Sequence, residues 1–405
     1  MSISAGALDS HNKKIRNLSI AWLVNSLAYS ITYPFIPLYL HGERGLSMSM
    51  VGLIFPIMGV AVMLGPMISG AVVDVVGRRK VLIGGPLLRG FIFFILAVFA
   101  LFDAPFYAFA IALFFSAATG TFFQNASDAY LTDITTMQER PKAYGVIRVG
   151  TNVGWMLGPM IGAFLARTPF SLLFALTGCL CIGGSFFIHS TIPESIKRSL
   201  SDKTAPKNEV SFYKILAGDF PFLLTMFFAF LLFLLTSQLY STFSVYSTQI
   251  VGVSKNALGF IYAFNGLTII LLQIPSNRLA RKFRLETCIV VGALLYTFGY
   301  LTLGFSASWW HLIISIVILT LGEVVVIPAL FTQTSFFSPP GMTGRYMGAF
   351  GMVRGLGYSI GPYIGSLLFA RFAYDSMMFW GLLTIFGGIA SLGFWGMAVF
   401  KRKNI

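Results

Sequence analysis

Gly70-Ala71-Val72-Val73-Asp74-Val75-Val76-Gly77-Arg78-Arg79-Lys80 is a short charged knot set between two apolar runs. No Asp, Glu, Lys or Arg occurs from Gly45 to Val73, and after Lys80 only Arg89 interrupts the apolar sequence before Asp103. Each flank therefore reaches the length of about 20 apolar residues that lets a helix cross a hydrocarbon core. Between two such helices the knot is a tight turn. Gly77 can adopt backbone angles closed to other residues, Gly70 lets a neighbouring helix come close, and Asp74 can accept from the exposed amides at a helix start. Arg78 then needs an anionic partner.

The rest of the chain repeats this pattern. Of 405 residues, 56% are hydrophobic and only 10% are charged, against roughly 25% charged in soluble domains. Twelve apolar runs can be placed near 18 to 40, 50 to 72, 81 to 102, 106 to 134, 143 to 166, 170 to 192, 220 to 247, 257 to 277, 286 to 305, 309 to 335, 346 to 370 and 376 to 400; they are helices 1 to 12 below. A membrane β-barrel would instead show alternating segments of about 10 residues. The runs are longer than that and apolar on every face, so helices are expected.

The formal charge of +14 could suggest nucleic acid, but the placement of the basic residues argues otherwise. If both termini are cytoplasmic, Lys and Arg number 21 on that side and 4 on the other (Arg44, Arg167, Lys255 and Arg371), with Arg89, Arg148 and Arg354 left inside helices. This is the positive-inside bias that orients membrane helices, and no nucleic-acid partner is needed to explain it. Helix 1 is too long for a secretory signal core and no small-residue cleavage site follows, so the amino terminus is expected to be retained. Cys179, Cys181 and Cys288 lack metal-site spacing and read as packing residues.

The long polar stretch 194–218, containing Ser, Lys and Pro, separates six helices from six and reads as a cytoplasmic linker between bundles 1–193 and 219–405. Internal similarity supports the division. Tyr39, Gly52 and Gly59 match Tyr246, Gly259 and Gly266 at an offset of 207, so helices 1 and 2 repeat as 7 and 8. Gly145, Gly154, Gly158-Pro159 and Gly162 match Gly348, Gly357, Gly361-Pro362 and Gly365 at an offset of 203, so helix 5 repeats as helix 11.

The knot resembles the G-x-x-x-D-x-x-G-R-R/K signature of the major facilitator superfamily, with Val75 where that family often carries a basic residue. The second half keeps basic charge at Arg278, Arg281, Lys282 and Arg284 but has Asn277 and Arg281 where the signature has Gly and Asp. The resemblance implies an all-α membrane protein of twelve transmembrane helices in two pseudo-symmetric six-helix bundles. It also implies that Asp74 meets the start of helix 11 and Arg78 an acid at the end of helix 4, here Asp133, so that Gly70, Asp74, Gly77, Arg78 and Asp133 latch one conformation. Gly154, Gly158, Pro159 and Gly162 on helix 5 resemble the glycine-proline motif of the antiporter branch; small residues every fourth position also pack any pair of membrane helices. Tyr33 to Tyr39 on helix 1, and Leu321-Gly322-Glu323 with Pro328 on helix 10, resemble drug/proton antiporters.

Glu323 falls near the middle of helix 10, where an acid costs roughly 2.5–3.5 kcal/mol on insertion scales, so it should face protein or a wet cavity. It is the leading proton-coupling candidate, with Asp128 second. Thr121, Gln124, Asn125, Asp128, Thr132 and Thr135 form a polar stripe on helix 4, whereas Asp133 is turned away from it. Arg148 either pairs with one of these acids or snorkels to the surface. Asn25, Tyr29 and Tyr33 share one face of helix 1 and, with Gln124, Asn125, Gln238 and Asn265, are substrate-cavity candidates, each of which could instead bridge helices. The family's helix 4 often carries an arginine four residues before Gly120; here that position is Ser116, and the arginine's role does not carry over.

The function expected is secondary active transport, as a proton-coupled exporter of amphipathic or cationic drugs by alternating access. A permease for one defined metabolite is the alternative, and a non-transporting membrane sensor ranks below both. No enzyme constellation, cofactor motif or metal ligand set is found in the sequence. The expected partners are a small-molecule substrate, protons and the lipid bilayer, for a monomer in the inner membrane.

Overall fold

The computed structural model describes residues 5–136, 138–166, 168–194, 218–339 and 342–403. The expected linker lies almost wholly outside the described residues, as do Arg167, Lys197, Arg198, Lys203, Lys207 and Lys214. Every regular element among the described residues is helical. This is what a chain in hydrocarbon must do, since only helices and closed barrels satisfy all backbone polar groups without water.

Among the described residues, nine spans are long and apolar enough to cross a membrane. They are α2 (Met48–Val76), α3 (Arg78–Leu101), α4 (Phe106–Ile134), α6 (Phe170–Thr191), α7 (Phe220–Ile250, whose regular part ends at Thr236), α8 (Lys255–Ala280), α9 (Leu285–Phe305), α10 (Trp309–Phe337) and α12 (Ser376–Phe400). The long helices α1 (Ala5–Thr32), α5 (Arg140–Leu165) and α11 (Thr343–Phe372) complete the twelve. Of these three, α1 begins with the charged residues Asp9, Lys13, Lys14 and Arg16, while α5 and α11 carry stripes of glycine at their packing faces. Large apolar side chains such as Phe91, Ile95, Phe186, Ile314, Leu392 and Trp395 stand exposed, as expected of a surface solvated by lipid.

The chain divides into two compact units, Met1–Tyr39 with Ile57–Ser199, and Leu40–Pro56 with Leu200–Ile405. In the first unit the most extensive pairing is α1 with α5. A Cβ at Gly154 would meet the backbone of Leu23 and Leu27, one at Gly158 the Ser30 hydroxyl, and one at Gly162 the backbone of Ile31. Across this contact Ser30 Oγ donates to the Gly154 carbonyl at 3.0 Å. Helix α3 is wedged between α4 and α6, where Gly85 lies against Phe123 and Thr119, and Gly90 against Gly178 and Ile182.

In the second unit the same device joins α11 to α7. Gly357 lies against Phe233, Gly361 against Ser237 and Leu234, and Gly365 against Gln238. Ser30 with Gly158 and Ser237 with Gly361 are thus the same contact in the two repeats, at the offsets of 207 and 203 read from the sequence. The glycine stripe of α5 is therefore a packing face, and α11 has one like it.

The repeat extends into the turns after α1 and α7. Each helix ends in distorted turns that include a π-helical segment, Leu38–Glu43 and Tyr246–Ile250. A positive-φ glycine follows in each, Gly45 at 65° and Gly252 at 76°. Leu46 N donates to Leu40 O and Val253 N to Ser247 O. Ser47 and Ser254 then cap the next helix by accepting from Met50 N and Ala257 N. Glu43 and Lys255 pair at 2.8 Å within the second unit.

If α5 owes its place to this close approach, Gly154→Val should lower stability by about 1–3 kcal/mol, the usual cost of overpacking. Gly145→Val on the same helix, where a side chain would meet nothing within 4 Å, should be near neutral. Thermal unfolding of the detergent-solubilised protein compares the two.

Candidate functional site

The turn between α2 and α3 is set by Gly77, whose φ of 103° suits glycine alone and which supplies the cap position of α3. Arg78, the first residue of α3, points its guanidinium toward the end of α4. Its Nε lies 3.2 Å from Asp133 Oδ2, with the Asp133 side chain only 8% exposed. Asp74 sits one helical turn before Arg78, 3.7 Å from its Nη2, and is 75% exposed. Most of the guanidinium's electrostatic stabilisation therefore comes from Asp133, because exposed pairs contribute little. Within its own unit, a Cβ at Gly70 would meet nothing within 4 Å.

Arg79 has a definite task that its place in the motif did not disclose. Its Nε donates to Ile192 O at 2.7 Å and its Nη2 to His189 O at 2.6 Å, capping the carbonyl end of α6, where a cation is favoured. Glu194 Oε1 accepts from the Arg79 amide at 3.3 Å. Arg78 and Arg79 thus tie α3 to two different helices.

The polar stripe of α4 divides by role. Gln124 donates to Asp128 Oδ2 at 3.2 Å, and Tyr144 of α5 lies beside the same carboxyl. Asn125 donates to Pro66 O and Ser69 Oγ of α2, at 3.1 and 2.6 Å. It bridges α4 to α2 beside Pro66.

A deeper group of polar residues surrounds Arg89. Of the three intramembrane arginines, Arg148 and Arg354 are exposed while Arg89 is 5% exposed. Its Nε and Nη2 both donate to Ser116 O, at 3.2 and 3.1 Å, and its Nη1 to Asn25 Oδ1 at 3.4 Å. The guanidinium carbon lies 5.2 Å from the centre of the Tyr29 ring. Tyr29 stacks on Tyr33, and Trp155 of α5 closes on both edge-on. A side chain at Gly120 would collide with Arg89 Nη2. The guanidinium therefore occupies the stretch of α4 from Ser116 to Gly120, where the family carries its own arginine, but it arrives from α3. Sequence reasoning passed over Arg89. The available signal was depth: eleven residues beyond Arg78, at 1.5 Å per residue, place it about 16 Å along the helix, out of reach of the surface.

In the second unit, Gly322 of α10 packs against the backbone of Tyr296 and Gly292 on α9, and this close approach fixes the direction of the next residue, Glu323. Its Oε2 is buried without a hydrogen-bond partner among the described residues. Asn265 of α8 lies beside the carboxyl and donates to Thr320 Oγ1 at 2.8 Å. The buried Tyr296 and Tyr300, with Tyr358 of α11, complete the surroundings. Gln238 is also corrected: fully buried, it donates to Leu234 O and Gly361 O, each at 2.8 Å, and so bridges α7 to α11.

The family model of the Major Facilitator Superfamily matches residues 18–362 and 226–403. The chain belongs to the Major Facilitator Superfamily. It is similar to an uncharacterised transporter of that superfamily, YhjO of Bacillus subtilis, at 25% identity over 88% of this chain and 86% of that protein. It is also similar to the multidrug resistance protein MdtH of Cronobacter sakazakii, at 23% identity over 93% of this chain and 92% of the relative. Among solved structures, a D-xylose-proton symporter superposes with a TM-score of 0.77 at 14% identity, over 95% of this chain and 97% of that one. As a major facilitator, the chain is a multi-pass membrane transporter of small molecules. No group of three or more metal-ligating side chains occurs among the described residues.

The burial difference between the two acids at the knot makes a test. Asp133→Asn should lower stability by about 1–3 kcal/mol because it strands a half-buried guanidinium, and Asp74→Asn by less than about 1. Chemical denaturation of the purified protein separates them.

Proposed function

We propose that this transporter is a proton-coupled exporter of amphipathic or cationic drugs, working by alternating access. The observation that carries the reading is the Glu323 carboxyl. It has one buried oxygen without a partner, neutral Asn and Tyr neighbours, and no cation within ion-pair distance among the described residues. An ionised carboxylate left alone in such a place is costly, whereas a neutral acid is tolerated. Its occupancy by a proton can therefore bias a two-state equilibrium. Similarity to the multidrug resistance protein MdtH supports the drug-export side of the reading.

In this mechanism Glu323 takes its proton from one side of the membrane and gives it up to the other, and substrate binding after deprotonation favours the opposite conformation. Asp128, bonded to Gln124 near the basic end of α4, is the second exchange site. The Asp74, Arg78 and Asp133 group latches the outward-facing state. A membrane potential adds about 2.3 kcal/mol per charge per 100 mV to the drive. The protein works as a monomer in the inner membrane with both termini cytoplasmic, as the basic residues at one end of the helices suggest.

Efflux of an amphipathic dye from proteoliposomes under an imposed pH gradient tests the reading. The native chain should accelerate efflux when the gradient is applied. Glu323→Gln should abolish the acceleration while leaving exchange at equal pH measurable. Gradient-driven efflux that survives in Glu323→Gln removes the assignment.

A further inference from the structure

Among the described residues Arg89 is the one arginine inside a helix that is buried, and no carboxylate is among its partners. A guanidinium does not lose its proton in a protein, so the charge is permanent. Its recorded partners are a backbone carbonyl, an amide oxygen and an aromatic face, all neutral. These use three of the five N–H donors and leave two, one on each terminal nitrogen. A brace between α3 and α4 would need only the two bonds to Ser116 O. It would not need the charge itself, which is expensive to keep in a membrane interior and marks such residues as functional by default.

The surroundings suit a ligand. Asn25, Tyr29, Tyr33 and Trp155 are each half-buried rather than packed away, so one face of the cluster is open. The apolar faces of α3, carrying Leu88 and Phe91, are exposed on the other side of the helix from Arg89. Three aromatic rings within about 6 Å of one another form an apolar wall next to a fixed cation with spare donors. We infer that Arg89, Asn25, Tyr29, Tyr33 and Trp155 form a binding site for an amphipathic substrate that carries a carboxylate. The carboxylate takes the free guanidinium donors, and the apolar body lies on the aromatic wall. Arg89 is the determinant of charge specificity.

This deepens the transporter reading by naming, within its amphipathic substrates, the class that bears an acid, and rests on that reading only for the statement that the ligand is transported. Binding is therefore measured without a gradient, on the full-length protein in phosphatidylcholine nanodiscs. Three probes share one aromatic body: dansylglycine, dansylglycinamide and dansylcadaverine, bearing a carboxylate, an amide and an ammonium. Energy transfer from tryptophan reports binding.

The carboxylate probe should bind at least about tenfold more tightly than the amide, as a charge-assisted contact outweighs a neutral one. Arg89→Gln should erase the difference and Arg89→Lys should keep part of it. If Arg89→Gln does not fold, Asn25→Asp is the second variant: nearly isosteric, it places a carboxylate against the guanidinium and should remove the preference by occupying the charge from within. Glu323→Gln should keep the preference, so failure of proton coupling and failure of this site give different patterns. Equal binding of the three probes by the native chain overturns the inference, as does a carboxylate preference that persists in Arg89→Gln or Asn25→Asp.

Discussion

Helices dissolved in hydrocarbon gain little by hiding apolar side chains from one another, because lipid tails solvate those side chains equally well. Closeness of approach has to hold them together instead. In this chain it is supplied by glycine. Gly154, Gly158 and Gly162 let α5 lie against the backbone of α1, and Gly357, Gly361 and Gly365 let α11 lie against α7. At that range a serine hydroxyl or a glutamine amide reaches the facing carbonyl, as Ser30 and Gln238 do. Both helix pairs follow from this constraint, and so do the positions of everything they carry: Trp155 beside Tyr29 in one unit, Gln238 locked against Gly361 in the other.

Once the helices are fixed, Arg89 and Glu323 are held in opposite chemical situations. Arg89 cannot change its charge, and neutral groups surround it. Glu323 can change its charge, and neutral groups surround it too. A permanent charge without a counter-ion attracts one from outside, whereas an exchangeable charge without a counter-ion responds to proton supply. The first property suits recognition and the second suits coupling. Each group lies within its own unit, so the two properties can be altered separately.

The architecture was largely legible in the sequence because bilayer thickness imposes a length scale that composition displays directly. The run placed at 106 to 134 coincides with α4, and most of the other bounds move by no more than about three residues, within the usual uncertainty of boundaries. The repeat was legible because glycines at tight contacts have no substitutes. Partnerships were much less so. Periodicity says which face a residue occupies but not which helix stands opposite. Asn125 and Gln238 read as cavity residues yet bridge helices, and Arg79, grouped with its neighbours as topological charge, caps α6. Arg89 escaped because an arginine expected on helix 4 was sought there and found missing, while the guanidinium reached the same place from α3.

The paired turns after α1 and α7 bear on the history of the chain. The first is entered through Pro34 and Pro37, and the second through Ser237, Ser241 and Ser244 with no proline among them, yet the π-helical segments end at the same repeat position, Glu43 and Ile250. Both then pass through a left-handed glycine and a serine cap in the same register. A duplicated ancestor that already had this backbone path accounts for the pair. Between the two copies the residues that lead into the distortion differ, while those demanded by a single backbone angle, Gly45 and Gly252, are the same. Descent in this chain is therefore recorded more faithfully by dihedral angles than by residue identities.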